Sequence, residues 1–191
     1  MERRRALCQL GGLVLGGLGM GLSSPGLAHT PYRQWKVYRQ RFLLILCSKD
    51  DPPAYPLAKD IVGVLVEALP ESRARVARAP HAWRMGSLLA TEQLDVALLR
   101  PEDAQALAQG VEPLDGFGPV PLRRIVQVGE FWLVCREDFA PDHAYLLAEA
   151  LLDHGEVLPA VNPGLEAVEA NSPVPFHRGI IDGFALSQPQ S

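Results

Sequence analysis

Cysteine is scarce: three residues in 191, at positions 8, 47 and 135, with no C-x-x-C pair. That excludes a disulfide scaffold, and no Cys/His spacing of the zinc-site kind occurs. Basic charge is not in excess either. Eighteen basic side chains face 22 acidic ones, a net charge of −4, so there is no basic stripe to neutralise phosphates and no nucleic-acid partner is expected. Catalytic signatures are missing: no G-x-S-x-G elbow, no phosphate-cradling G-x-x-x-x-G-K loop, no G-x-G-x-x-G after a strand, no H-E-x-x-H. The histidines at 29, 81, 143, 154 and 177 include no i, i+3 or i, i+4 pair that would put two imidazoles on one helical face. The expectation is a non-catalytic protein with no metal and no cofactor. What is present is apolar material, 48% hydrophobic against 21% charged, which suits one domain with a sizeable core and excludes disordered and fibrous classes.

The N-terminus reads as an export signal. Arg3-Arg4-Arg5 precedes an apolar, glycine-diluted stretch from Ala6 to Leu22, then Ser-Ser-Pro and the small-residue end Gly26-Leu27-Ala28. This is the charged, apolar, small-residue order of a signal peptide spanning 1–28, with cleavage expected after Ala28. The stretch is shorter than the roughly 20 apolar residues a membrane-spanning helix wants. The arginine run fits either the general secretory or the twin-arginine route. Removal of the signal takes three arginines and one glutamate with it, leaving a more acidic, periplasmic mature chain. Cys8 lies inside the apolar stretch rather than at its end, which disfavours a lipid anchor. Cys47 and Cys135 sit in apolar strand-like runs; they read as buried thiols, or as a disulfide if their strands are neighbours in an oxidising compartment.

Beyond an N-terminal extension at 29–40, residues 41–154 read as a single α/β domain. Arg41 to Cys47 is a continuous apolar run bounded by Ser48-Lys49-Asp50-Asp51-Pro52-Pro53, as in a strand buried on both faces of a parallel sheet. Ala58, Ile61, Val62, Leu65, Val66 and Leu69 then recur at helical spacing up to Pro70. Arg73 to Ala79 is a second strand, Trp83 to Thr91 a short helix, and Leu94 to Leu99 a third strand. Pro101 to Gln109 opens with Pro-Glu-Asp, a residue order that suits a helix N-terminus and its positive dipole end. Three strand–helix units imply right-handed crossovers and a mostly parallel or mixed sheet flanked by helices. A Gly/Pro-rich connection from 110 to 124 leads to a hydrophobic segment from Ile125 to Cys135, read as one uninterrupted run, and to a helix from Pro141 to His154. Residues 155–191 read as a Pro-rich C-terminal tail with a short helix after His177 and another within 164–170.

In open α/β sheets, ligands bind beyond the carboxyl ends of the strands. That singles out Ser48 to Tyr55, Pro80 to Arg84 and Arg100 to Asp103. His81, Trp83, Arg84 and Arg100 form the most reactive set, because an arginine can clamp a carboxylate and an indole can wall a pocket. The bland alternatives are a packing role for Trp83 and a solvated pairing of Arg100 with Glu102 and Asp103. Asp50 and Asp51 offer carboxylates for a hard cation or simply cap the next helix.

Four stretches, Tyr55-Pro56-Leu57-Ala58, Leu94 to Leu99 with Asp103, Phe139 to His154 with Asp142 and Tyr145, and Pro173-Val174-Pro175-Phe176-His177-Arg178-Gly179, occur in the order in which similar ones occur in one family. The chain thereby resembles the TAXI-type solute-binding proteins of tripartite ATP-independent periplasmic (TRAP) transporters. The resemblance implies a type II periplasmic binding fold, a transport role, and Tyr55 and His177 as further candidates for ligand contact, beside Asp51, which is a candidate by its position after the first strand. It also has departures. The loop after the first strand lacks the family's glycines, and Arg178 and Ile180 replace a proline and an alanine. The length suits one lobe of a two-lobed receptor rather than both. The implied protein is an exported, single-lobe, solute-receptor-like binding protein whose open strand-end face meets a partner protein or a small ligand. The expected partners are a small organic acid, a membrane permease or a periplasmic protein. Two alternatives stand beside it: a dimeric transport receptor for a small organic anion, and an accessory or assembly factor for a periplasmic enzyme.

Overall fold

The computed structural model describes residues 41–162 and 172–187. The signal peptide, the extension at 29–40 and the helix expected within 164–170 lie outside the described residues. The elements run β1 (Leu44–Ser48), α1 (Ala54–Ala68), β2 (Arg75–Ala79), α2 (Ala82–Ala90), β3 (Val96–Leu99), α3 (Pro101–Gln109), β4 (Leu122–Val128), β5 (Phe131–Arg136), α4 (Pro141–His154), β6 (Val161–Asn162) and α5 (Arg178–Ser187). They build one six-stranded sheet in the order β2-β1-β3-β5-β4-β6. β1 pairs in parallel with β2 and β3, whereas β5 runs antiparallel to β3 and β4, and β6 antiparallel to β4. This is the α/β architecture read from the sequence, consistent with a single lobe of a periplasmic-binding-protein fold.

The continuous apolar runs are explained by burial on both sheet faces. All five residues of β1 are buried. Ile45, Cys47, Val96 and Leu98 point into one core with Leu57, Ala58, Ile61 and Leu65 of α1 and Leu147, Ala148 and Leu151 of α4. Their neighbours Leu44, Leu46, Ala97 and Leu99 point the other way, against Met85 and Leu89 of α2 and Ala104 and Leu107 of α3. This is the period-two alternation of a strand read against the 3.6-residue period of the helices. Each fully buried Leu or Ile contributes about 1.5–3 kcal/mol by leaving water. At the far end of β5, the buried Arg136 donates to the Leu89 carbonyl at 2.8 Å and pairs with Glu92 and Asp138, tying that strand to the end of α2.

Two features depart from the sequence reading. The segment from Ile125 to Cys135 is not one run but the β4–β5 hairpin, turning at Gly129 (φ 57°) and Glu130, with Val128 opposite Phe131. β5 is buried throughout and β4 leaves only Arg123, Arg124 and Gln127 partly exposed, so the apolar run reads as nearly continuous, and a single glycine carries the turn. The cysteines are both buried and unbridged. Cys47 lies on β1 and Cys135 on β5, with β3 between them, so the condition for a disulfide is not met. Burial pushes the Cys47 thiol up to about 11 against the opposing pull of Arg78, and raises that of Cys135 as well.

The described part of the C-terminal segment packs on the domain. β6 pairs with β4, Phe176 bridges to Arg124, and Val174, Phe176 and Ile180 are buried. α5 lies close against α4 because Gly179 and Gly183 carry no side chain there. A Cβ at Gly179 would stand 2.1 Å from the Pro141 carbonyl oxygen, and one at Gly183 2.0 Å from the Tyr145 ring. Among the described residues no helix is long and apolar enough to cross a membrane.

Candidate functional site

β1 leads through α1 to β2 on one side, and β3 leads through α3 to β4 on the other, so the sheet's switch point lies between the carboxyl ends of β1 and β3. A pocket of about 340 Å³ opens there, lined by Ser48, Asp50, Asp51, Ala54, Ala82, Met85, Leu98, Leu99, Arg100, Asp103 and Phe131. Its floor is apolar. Its polar groups come from the loop after β1, the residue after β3 and the first turn of α3.

Arg100 organises the site. Its Nε and Nη2 donate to Asp51 at 2.6 and 3.0 Å, and Nη1 and Nη2 donate to Glu130 at 2.9 and 3.4 Å. Its guanidinium carbon lies 4.9 Å from the centre of the Phe131 ring. Hydrogen bonds to Asp51 first and to Glu130 second raise its pKa still further above the ordinary arginine range. Four contacts occupy most of the five N–H donors of a guanidinium. The pairing foreseen with Glu102 and Asp103 is therefore not the one formed. Asp51 does not cap α1 with its side chain; its backbone carbonyl accepts from Ala54 at 3.0 Å while its carboxylate turns to Arg100. The loop is set by Ser48, whose Oγ accepts from the Asp50 N–H at 3.1 Å.

The remaining charge is negative. Asp50 and Asp103 line the same pocket and have no ion-pair partner among the described residues. Asp103 is partly buried; desolvation raises its pKa, with Glu102 and Asp51 adding to the rise and Arg100 opposing it. Four carboxylates, those of Asp50, Asp51, Asp103 and Glu130, thus surround one guanidinium that Asp51 and Glu130 already engage.

Of the seven residues singled out from sequence, the structure brings Asp51 and Arg100 together in this pocket. Tyr55 does not line the pocket: it packs against the main core, with Arg78 4.6 Å and Lys59 5.2 Å from its ring. His81 caps α2, its Nδ1 accepting from the Arg84 N–H at 3.2 Å, and the Arg84 guanidinium reaches Ser87. Trp83 is 48% exposed, its ring 4.6 Å from Phe117 beside the pocket rather than in it. His177 lies at the opposite end of the sheet, 1% exposed in the interior, where a ligand at the strand ends cannot reach it. Sequence reasoning missed Glu130, which reaches Arg100 only because the hairpin turns at Gly129. A second hollow of about 400 Å³ lies at the amino ends of β1 and β3, lined largely by apolar residues including Phe42, Leu69, Phe139 and Leu146. Arg41, Glu71, Asp95 and His143 also line it, but the sheet's switch point lies at the other end of these strands.

No protein-family model and no curated protein matches this chain.

Proposed function

We propose that this chain is an exported, non-catalytic, solute-receptor-like binding protein of TAXI-like, single-lobe type, and that its open strand-end face receives a positively charged group. That group is a small organic amine or a cationic side chain of a periplasmic partner. The observation that carries the reading is the engagement of Arg100 by Asp51 and Glu130, which leaves Asp50 and Asp103 as the unpaired charges of the pocket. A small organic acid, the ligand first expected, would meet those carboxylates in place of an available cation, at a cost set by like-charge repulsion in a partly desolvated pocket. The apolar floor of Met85, Leu98 and Phe131 would cover the aliphatic part of an amine. A thermal-shift series tests this: small mono- and diamines are expected to raise Tm in a saturable manner, and dicarboxylates to leave it unchanged. A rise with dicarboxylates alone restores the organic-anion receptor.

A further inference from the structure

We propose that His177 is an acid-sensitive latch for the C-terminal helix: its neutral ring caps α5, and a proton taken up at Nδ1 displaces that cap and loosens α5 from α4. The ring is buried, and Nδ1 accepts from the Gly179 N–H at 3.2 Å. The His177 carbonyl accepts from Ile180 at 2.9 Å, which makes His177 the residue that satisfies the first turn of α5. Because Nδ1 is the acceptor, the neutral ring carries its proton on Nε2, a buried atom that meets no acceptor in good hydrogen-bond geometry among the described residues, although the Glu137 and Phe139 carbonyls lie close enough to the ring to favour a proton there. A second proton can go only to Nδ1, where it competes with the Gly179 N–H for one lone pair. It would also place a cation at the positive end of the helix dipole.

The surroundings oppose that charge on most sides. Arg123 of β4 lies near, paired with Glu137, and Arg178 is the next residue of α5. Arg124 of β4 is stacked between Trp132 and Phe176, 4.4 and 4.1 Å from their ring centres, and its backbone carbonyl holds the His177 N–H at 2.9 Å. From α4, the Pro141 backbone meets Gly179, and Asp142 of the first turn is exposed. Burial, the largest influence, lowers the His177 pKa from 6.5; the carbonyls of Glu137 and Phe139 pull the other way, and Arg178 and Arg123 lower it further. With a folded-state pKa below the unfolded one, the latch contributes fully above about 6.5 and weakens as pH falls below it. What it holds is the contact of Ile180 and Phe184 with the core and with Tyr145, whose ring lies 5.6 Å from that of Phe184.

The test is amide hydrogen exchange of residues 179–184 in the full mature chain, corrected for intrinsic exchange, between about pH 7.5 and pH 5. Each unit separating the two pKa values multiplies the opening equilibrium of α5 by about ten at the acidic end. We expect that rise in the wild type and a flat profile in His177→Asn, because asparagine caps a helix without titrating. An unchanged wild-type profile, or the same acid-induced opening in the variant, overturns the proposal. If the variant does not fold, the wild type alone decides: the Gly179 amide resonance must move together with the His177 ring titration, and a Gly179 amide that stays fixed through it refutes the latch.

Discussion

Arg100 holds Asp51 through a two-point fork, Nε and Nη2 donating to both carboxylate oxygens at 2.6 and 3.0 Å across 49 residues of chain. It thereby pins the loop after β1 to the end of β3. The fork matters because a planar guanidinium can meet Asp51 and Glu130 at once, which a single ammonium cannot do bidentately. Arg100→Met is expected to lower Tm at neutral pH, since Asp51 and Glu130 lose their counter-charge beside Asp50 and Asp103. The deficit relative to wild type should shrink as pH falls and Asp103, whose pKa is raised by burial, takes up a proton. Arg100→Lys should fall between the two. A deficit that stays constant with pH would show that Arg100 acts by packing on Phe131 rather than by charge.

Phe131 is both the wall beneath Arg100 and a member of the main core, 2% exposed. Phe131→Ala should cost about 3–5 kcal/mol in denaturant unfolding, and Phe131→Leu clearly less, because the larger truncation leaves a cavity that close-packed neighbours fill only in part. A loss below ~1 kcal/mol for the alanine variant would mean that the β4–β5 hairpin is not seated as described.

The two thiols in the sheet should be inert in the folded protein. With Cys47 held near 11 by burial and Cys135 also raised, almost no thiolate forms at about pH 8. Mass mapping after iodoacetamide treatment should find both unmodified under native conditions and both alkylated after unfolding. A Cys47–Cys135 disulfide in protein purified without reductant would contradict the strand order, which places β3 between them.

The seating of α5 on α4 depends on an absence of side chain. Gly179→Ala would drive a Cβ to within 2.1 Å of the Pro141 carbonyl oxygen, a backbone atom that cannot swing aside. We expect a loss of about 1–3 kcal/mol, with amide protection falling first in α5. Ala185→Gly, at an exposed position of the same helix, controls for helix propensity alone and should cost only about 1 kcal/mol.

Much of the fold was legible because burial on both sheet faces writes itself as uninterrupted apolar runs. The runs Arg41 to Cys47 and Leu94 to Leu99 were recognisable for that reason, though the strands themselves span Leu44–Ser48 and Val96–Leu99, and α1 and α4 through their helical spacing. The same property hid the β4–β5 hairpin: β5 is buried throughout and Gln127 is the one partly exposed residue between Ile125 and Val128, so Gly129 and Glu130 alone marked the reversal. The site was legible only by position. The rule that ligands gather beyond strand ends pointed to Asp51 and Arg100. It could not foresee that they would pair with each other, since that contact depends on the β1–β3 register and on Glu130 arriving from the hairpin. His81 and His177 looked chemically available because a histidine is a versatile ligand; in both, Nδ1 is taken by the backbone N–H of a helix start.

The most direct measurement is isothermal titration calorimetry of the protein at low ionic strength with small amines and with dicarboxylates, in wild type and Asp103→Asn. The account predicts saturable heat with at least one amine, weakened about tenfold or more in Asp103→Asn. That heat should fade as acidification protonates Asp103, whose burial starts its titration above the usual aspartate range. Dicarboxylates should give no heat. Saturable dicarboxylate binding with silent amines would contradict the account.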